Sequence, residues 1–181
     1  ATAEYTYTFA GWSENGTDIV DLSNATVEKN VTYTAVYTSV KNQYTVTFYN
    51  ADSVDPIGTS TVDYGTAATI ANPTKADSNG YTYTFEKWVD ILGNEDDLSN
   101  VTANRDVYAK YTQTPITYNI TYVDVFGADN TQNPTTYTVE DSDITLQPLS
   151  NKIGMTFKGW YTDTTYTTQI TSIITANTGD I

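Results

Sequence analysis

The residues of this chain that could do chemistry are acidic and aromatic. Its 181 residues include 22 Asp or Glu and 16 Tyr, and they include no His and no Cys. A Ser-His-Asp or Cys-His nucleophile is therefore excluded within the chain, and so are the commonest zinc ligands. Carboxylates could still hold calcium or hydrolyse a glycosidic bond, and exposed aromatic rings could bind a sugar or a protein.

The carboxylates lie mainly in predicted loops. The clusters Glu95-Asp96-Asp97 and Glu140-Asp141-Ser142-Asp143 offer oxygen ligands, but neither has the spacing of an EF-hand loop. A glycosidase needs two acids in a shared geometry, and the acids here do not recur at matching positions. We therefore expect solvated turns, no enzyme activity and no cofactor. If calcium did bind, its expected role would be to stiffen a joint.

Two tyrosines are the candidate ligand-binding residues. Tyr49 and Tyr108 lie in predicted strands, at positions that point away from the predicted core. Exposed aromatic rings can stack on sugar rings or anchor a protein partner. The alternative is cross-strand Thr–Tyr pairing, which would only stabilise the sheet. Both interpretations stay open at this point.

The charge and composition restrict the partners and the fold class. A net charge of -14 repels phosphate backbones and anionic membrane surfaces, so we expect no nucleic-acid partner. No apolar run is long enough to span a bilayer, so we expect no membrane insertion. About one residue in five is Thr, and Thr and Tyr both suit a half-buried pleated surface. The composition therefore favours a mainly β protein.

The elements that would position these side chains are repeated. Tyr81–Trp88 is nearly identical to Tyr5–Trp12, and Met155–Trp160 is a third version. The three Trp are 76 and 72 residues apart, which gives a repeat of roughly 74 residues, close to a small domain. We predict the closing half of a repeat at 1–42, a complete repeat at 43–114, and a repeat without its closing strand at 115–181, arranged as an elongated rod.

Alternating residues predict the strands of each repeat. In the middle repeat, Tyr44–Asn50 and Thr59–Tyr64 form a hairpin, with Tyr44, Val46 and Phe48 facing inward. The other predicted strands are the three Trp-containing stretches, with the last extended to Tyr161, together with Val31–Tyr37, Arg105–Tyr111, Tyr118–Tyr122 and Thr136–Val139. Asp21–Thr26 is predicted as one short helical turn. Two short polar connectors, Ser39–Gln43 and Gln113–Thr117, are expected between repeats.

Strict alternation along the Trp-containing strand would place its Phe and its Trp on opposite faces. In strict alternation Phe9 and Trp12 would lie on opposite faces, because they are three residues apart. Gly11 and Gly159 precede Trp in two copies, and Gly within a strand often marks a β-bulge, which shifts the following residues to the other face. We therefore predict a bulge that places Phe and Trp in one core. Lys87 breaks this pattern in the middle copy. The alternative is a flat strand with Trp on the opposite face.

The order of these motifs resembles the Listeria–Bacteroides repeat, the B-repeat-like module of internalin-type bacterial surface proteins. The matching motifs are Tyr44-Thr45-Val46-Thr47-Phe48, Pro73-Thr74, Gly80-Tyr81-Thr82, Phe85-x-x-Trp88, Val101-Thr102, Val107-Tyr108-Ala109-Lys110-Tyr111 and Phe157-Lys158-Gly159-Trp160-Tyr161-Thr162-Asp163. The departures are Lys87 in place of Gly, and Tyr37 and Tyr111 where the family usually ends in Trp.

The resemblance implies a β-grasp-like module with a small mixed sheet, in secreted or wall-attached extracellular proteins. Such repeats generally act as spacers or adhesive stalk segments, and no catalytic residues are carried over. We therefore expect a stalk whose neighbours are other repeats of the same chain. One alternative is a module that binds a host-cell protein or glycan through exposed aromatic residues. Another is an accessory region of a secreted enzyme.

Overall fold

A computed structural model describes residues 1–26, 28–51, 53–150 and 152–181. Within these ranges the chain forms β-strands joined by turns and contains no helix, so the mainly β prediction is confirmed. No described segment is a helix long and apolar enough to cross a membrane. The strands are β1 Tyr5–Ser13, β2 Thr34–Lys41, β3 Gln43–Tyr49, β4 Pro56–Asp63, β5 Tyr81–Val89, β6 Arg105–Pro115, β7 Tyr118–Asn119, β8 Thr136–Tyr137, β9 Ile144–Thr145, β10 Trp160–Tyr161, β11 Gln169–Ile170 and β12 Ser172–Ile173.

The helical turn predicted at Asp21–Thr26 is wrong, because this segment forms an isolated turn. Ala25 N donates to Leu22 O at 3.3 Å, and the Asp21 carboxylate accepts a hydrogen bond from Ser23 N at 2.9 Å. A short acidic side chain that binds the backbone two residues ahead competes with helical hydrogen bonding. The hydrogen bond between the Asp21 carboxylate and Ser23 N therefore accompanies a turn and not a helix.

The chain divides into two compact units. Unit 1 contains residues 1–73 and 85–111, and unit 2 contains residues 74–84 and 112–181. The predicted division into three repeats by sequence position remains a prediction, and the terms first, middle and third repeat are used below for 1–42, 43–114 and 115–181.

The middle repeat is built on a four-stranded sheet in the order β4-β3-β6-β5. Strands β3 and β4 are antiparallel, with Val46 opposite Ser60, so the predicted hairpin is confirmed. Strands β3 and β6 are parallel, with Phe48 opposite Val107. The sheet is therefore mixed, and one face of it carries the core.

The core of the middle repeat is centred on alternate residues of β3 and β6, as the sequence pattern predicted, and residues outside the strands complete it. Val46, Phe48 and Val107 are fully buried, and Tyr44 packs against them. The ring of Phe48 meets Trp88 edge-on, with 4.8 Å between centroids. The remaining buried members are Ala68, Val101 and Ala109. Period-two patterning thus assigns the inward face correctly.

The first repeat is an antiparallel pair, β1 with β2, and its register shifts between Phe9 and Gly11. This confirms the predicted bulge in the first copy. Gly11 has φ +154°, a conformation that is essentially restricted to glycine. The rings of Phe9 and Trp12 lie 5.5 Å apart as a result of the shift.

The same aromatic contact recurs in the other two repeats. Phe85 and Trp88 lie 5.3 Å apart, and so do Phe157 and Trp160. In the middle repeat both rings pack in one core although Lys87 occupies the glycine position. The alternative, with Trp on the opposite face of a flat strand, is therefore wrong.

The predicted connectors are largely strand. Strand β2 continues to Lys41, where it pairs with Tyr5, and β3 begins at Gln43. Between them, Asn42 N donates to Glu4 O at 2.8 Å. Strand β6 likewise continues to Pro115. The prediction of separate polar connectors was wrong, because strand pairing extends through these residues.

The third repeat has a smaller core of Ile120, Tyr137, Leu146 and Ile173. Its strands are shorter than the pattern predicted. Tyr118–Tyr122, Thr136–Val139 and Met155–Tyr161 are reduced to β7, β8 and β10. In the middle repeat β6 pairs with both neighbouring strands, and no strand occupies that position within residues 152–181.

Candidate functional site

The structure brings the two sequence-predicted site residues together. Tyr49 and Tyr108 are opposite one another in the parallel pairing of β3 with β6. Their rings are stacked, with 5.2 Å between centroids and 20° between planes, and both side chains are half-buried. They lie on the face opposite the core, because their neighbours Phe48 and Val107 are buried.

The sheet face around this pair is polar, and we call it the outer face. Thr45 and Thr61 approach one another at 2.8 Å between hydroxyl oxygens. On β6, Lys110 follows two residues after Tyr108, and its ammonium lies 3.3 Å from the Glu86 carboxylate. The outer face thus presents Thr45, Thr47, Tyr49, Thr59, Thr61, Glu86, Asp106, Tyr108 and Lys110.

The Tyr49 phenol is protonated at neutral pH, as an ordinary tyrosine is, and its surroundings act in the same direction. Burial raises the pKa of Tyr49, and the negative charge of Asp106 raises it further. Its hydroxyl can donate a hydrogen bond at neutral pH. Ring, hydroxyl and ion pair together suit a ligand with both apolar and hydroxyl-bearing surfaces.

The stacking also limits what the two rings can do. Each ring already covers one face of the other, so a ligand can use only the remaining faces, edges and hydroxyls. The pairs seen on this face are Tyr–Tyr and Thr–Thr, where the sequence suggested Thr–Tyr. A stacked pair of this kind contributes about 0.5–1.5 kcal/mol beyond its area burial. The pair therefore stabilises the sheet whether or not it also binds a ligand.

The acid clusters do not converge on a common point. Glu95 accepts a hydrogen bond from Lys87 at 3.0 Å, and Asp96 forms an ion pair with Arg105 at 2.8 Å. Asp97 accepts from Ser99 N at 2.9 Å. No group of three metal-ligating acids occurs in the part of the chain that the structure describes.

The second cluster is likewise divided among separate partners. Glu140 accepts a hydrogen bond from the Tyr81 hydroxyl at 3.2 Å, and Asp141 accepts from Thr138 N at 2.7 Å. Asp143 accepts from Thr175 N at 3.1 Å. Each of these acids therefore accepts a hydrogen bond from a different donor, and they do not share a ligand position.

A shared loop-closing feature follows each of the three Trp and was not predicted from the sequence. Asn15, Asp90 and Asp163 follow the three Trp by three, two and three residues, and each closes a loop by accepting backbone hydrogen bonds. Asp163 accepts from Thr165, Thr167 and Thr168, and these bonds hold its pKa well below the ordinary value. The signal was present as an Asn or Asp at the start of each Thr- or Gly-containing loop.

A second feature was not predicted, and it lies in the third repeat. An apolar cavity of about 950 Å³ opens beside the small core. Its walls include Ile120, Tyr122, Leu146, Phe157, Trp160 and Ile173. Several of these residues are the counterparts of core residues in the middle repeat.

Comparison with known proteins gives a family match within the third repeat. The family model of the Listeria-Bacteroides repeat domain matches residues 118–181. This confirms the resemblance for a segment that contains Phe157, Gly159 and Trp160. The family is a domain of bacterial surface proteins. No solved structure matches the chain.

Proposed function

We propose that the chain is a non-catalytic tandem module of an extracellular bacterial surface protein, in which it acts as a stalk or spacer. The observation that carries the proposal is the family match at 118–181. The Phe–Trp contact of 5.3–5.5 Å in all three repeats supports extending it to the earlier segments. Its neighbours would be further repeats, and its location would be secreted or wall-attached.

The joint after the first repeat supports a spacer role. The Asn42 side chain donates to Thr2 O at 2.9 Å and to Ala3 O at 3.0 Å, and Tyr44 donates to Ala3 O at 2.6 Å. A one-residue joint held by several hydrogen bonds resists bending, and a spacer requires this stiffness. The parallel pair β3–β6 within a mixed sheet supports a β-grasp-like module.

Small-angle scattering tests the rod-like arrangement that this function needs. A compact 181-residue protein has a radius of gyration of about 16 Å. We expect the full chain to give a clearly larger value, with a scattering profile typical of an elongated particle. A value near that of a compact protein would contradict the stalk.

The second candidate function is binding of a host-cell glycan or protein through the outer face. The stacked Tyr49–Tyr108 pair beside the Lys110–Glu86 ion pair favours it. The full chain should then give a saturable signal on a glycan array or with host surface extract. That signal should fall for Tyr49→Ala and Tyr108→Ala.

Two control variants make this test specific. Tyr7→Ala removes an exposed tyrosine from β1, away from the outer face, and should leave binding unchanged. Tyr108→Phe keeps the stack and removes only a hydroxyl. Equal loss for Tyr7→Ala would show that the outer face is not the site. A blank result from folded protein would leave only the spacer role.

A further inference from the structure

The chain enters and leaves the middle repeat through two neighbouring parallel strands. It enters β3 at Gln43, and it leaves along β6, which runs from Arg105 through Tyr111 to Pro115. The two strands are hydrogen-bonded neighbours in the sheet, with Val46 opposite Arg105. This register places Gln43 and Tyr111 about 30 Å apart along the strand direction, at ~3.3 Å per residue. Tension along the chain would therefore slide β3 past β6 and would not peel the two strands apart.

The pairing between these strands forms a ladder that such a sliding movement loads along its whole length. Residues 46–49 of β3 are in register with residues 105–108 of β6. Thr45 N donates to Asn104 Oδ1 at 2.8 Å, which extends the ladder by one residue toward the start of β3. The hydrogen bonds of a parallel pair are evenly spaced, so sliding strains them together. An antiparallel hairpin pulled at its open end instead loses one pair of residues at a time.

Side chains cover this ladder on both faces of the sheet. On the inner face, Phe48 and Val107 lie opposite one another and are fully buried. On the outer face, Tyr49 and Tyr108 lie opposite one another with their rings stacked at 5.2 Å. Hydrogen bonds that are shielded from water are stronger, and water cannot easily replace them as the strands begin to slide. The tyrosine pair thus has a role in the sheet that requires no ligand.

We propose that the middle repeat is a mechanical clamp, in which the β3–β6 pair resists tension along the chain because its hydrogen bonds are loaded in shear. A clamp of this kind deepens the proposed stalk function and rests on it, since a stalk is the part of a surface protein that transmits tension. The two proposals can fail separately. A compact scattering profile would contradict the stalk, whereas a strand pair that ruptures easily in shear would contradict the clamp and leave a stalk that acts only as a spacer.

Pulling on the same strand in two directions tests the clamp. The chain contains no Cys, so pairs of engineered Cys fix where the handles are attached to the full chain. Gln43→Cys with Thr112→Cys places the handles at the start of β3 and near the end of β6, which loads the pair in shear. Gln43→Cys with Asp63→Cys places them on opposite residues at the open end of the β3–β4 hairpin. All three positions are exposed, and β4 is the edge strand, so the second direction unzips β4 and leaves the β3–β6 pair in place.

Optical tweezers measure the rupture force of each form at one loading rate. Shear rupture should lengthen the tether by about 200 Å and unzipping by about 60 Å, because the chain released between the handles extends by ~3.4 Å per residue. We expect the rupture force in shear to be at least about twofold higher, since unzipping breaks one pair of residues at a time. Equal forces in the two directions, or a lower force in shear, would overturn the proposal.

Substitutions beside the ladder separate the clamp from overall stability. Tyr108→Ala removes the outer cover and should raise the rate of rupture at a fixed shear force about two- to tenfold, the factor expected for loss of an aromatic pair. Its unzipping force should stay unchanged, and Tyr108→Phe, which keeps the ring, should match the parent in both directions. Asn104→Ala removes the acceptor of Thr45 N and should weaken the shear direction alone. Equal weakening of both directions by Tyr108→Ala and Asn104→Ala would indicate a general loss of stability and contradict the clamp.

Discussion

Replacement of Phe48 by Ala tests the core on which the middle repeat depends. Phe48 has no exposed surface, and its ring contacts Trp88 edge-on, with 68° between planes. It lies in a cluster with Val46, Val101 and Val107, which are also fully buried. No polar atom is involved, so the substitution removes apolar contacts and leaves a cavity.

The expected loss follows from the area that the ring buries. An aromatic side chain buries about 150–250 Å², and at ~25 cal/mol per Å² this contributes about 4–6 kcal/mol. Ala keeps part of that contribution, and Phe→Ala substitutions in cores typically lose about 3–5 kcal/mol. A domain of roughly 70 residues has a free energy of unfolding of about 4–10 kcal/mol. Phe48→Ala should therefore remove about a third or more of the free energy of unfolding of the middle repeat, and all of it if the starting value is near 4 kcal/mol.

Urea unfolding followed by tryptophan fluorescence measures this loss. Trp12→Phe and Trp160→Phe leave Trp88 as the only tryptophan, so the signal reports the core of the middle repeat. The matched control is Phe9→Ala in the first repeat, where the ring is 48% exposed. Scaling by burial predicts a loss of about 2 kcal/mol there, and the Trp88 signal should change little. If Phe48→Ala shifted the Trp88 midpoint no more than Phe9→Ala, the assigned core would be wrong.

Three further predictions concern the bulge, the acid-sensitive loop and the first joint. Gly11→Ala should destabilise the first repeat by about 2–4 kcal/mol by urea unfolding, because φ is +154° and the new Cβ would meet Ile19 Cγ2 at 2.5 Å. Gly16→Ala is the control for the collision alone, since its φ is also positive at +86° but nothing lies within 4 Å, and equal losses would contradict the steric part of the argument. The pKa of Asp163 is lowered by folding, so its contribution to stability is present above about pH 4 and is lost as the pH falls further. Asp163→Asn should flatten the pH dependence of unfolding below pH 4, measured by Trp160 fluorescence, and an unchanged profile would contradict this. Asn42→Ala removes the hydrogen bonds of the first joint and should lower stability by about 1–2 kcal/mol in calorimetry. A change of less than a few tenths would show that the joint does not depend on Asn42.

The faces of the middle sheet could be predicted from the sequence because they depend on local alternation. Val46 and Phe48 are two residues apart, and burial of one fixes the side of the other. The outward position of Tyr49 and Tyr108 follows from the same rule. Their stacking could not be predicted, since it depends on the parallel register of two strands that are far apart in sequence.

Strand ends could not be predicted, because they depend on partners that a local pattern does not show. Lys41 extends β2 because Tyr5 lies opposite it, although the surrounding sequence is polar. Residues 118–122 alternate as 44–48 do, yet only Tyr118–Asn119 is strand. On the side where β3 pairs with β6, Ile181 is the residue of the described chain that pairs with this third-repeat segment. Hydrogen-bond ladders therefore decide strand length where side-chain pattern does not.

The glycine before Trp is explained by the residue that faces it, and not by the Phe–Trp contact. That contact is present in the middle repeat, where Lys87 occupies the position, and among the described residues Lys87 is not one of those with positive φ. In the loops that follow the three Trp, Ile19, Glu95 and Gln169 occupy equivalent positions. A Cβ at Gly11 or Gly159 would collide with Ile19 or Gln169, whereas Lys87 extends to form an ion pair with Glu95 at 3.0 Å.

The two positions therefore change together among the repeats of this chain. A small residue is required where the facing side chain folds over the strand, as Ile19 does over Gly11. A long residue is accepted where the facing side chain is an acid that can bind it, as Glu95 binds Lys87. The exposed ion pair contributes only about 0–1 kcal/mol, so Lys87 is tolerated and not required for stability. Among repeats of this kind, the residue facing the strand should thus predict whether Gly precedes Trp.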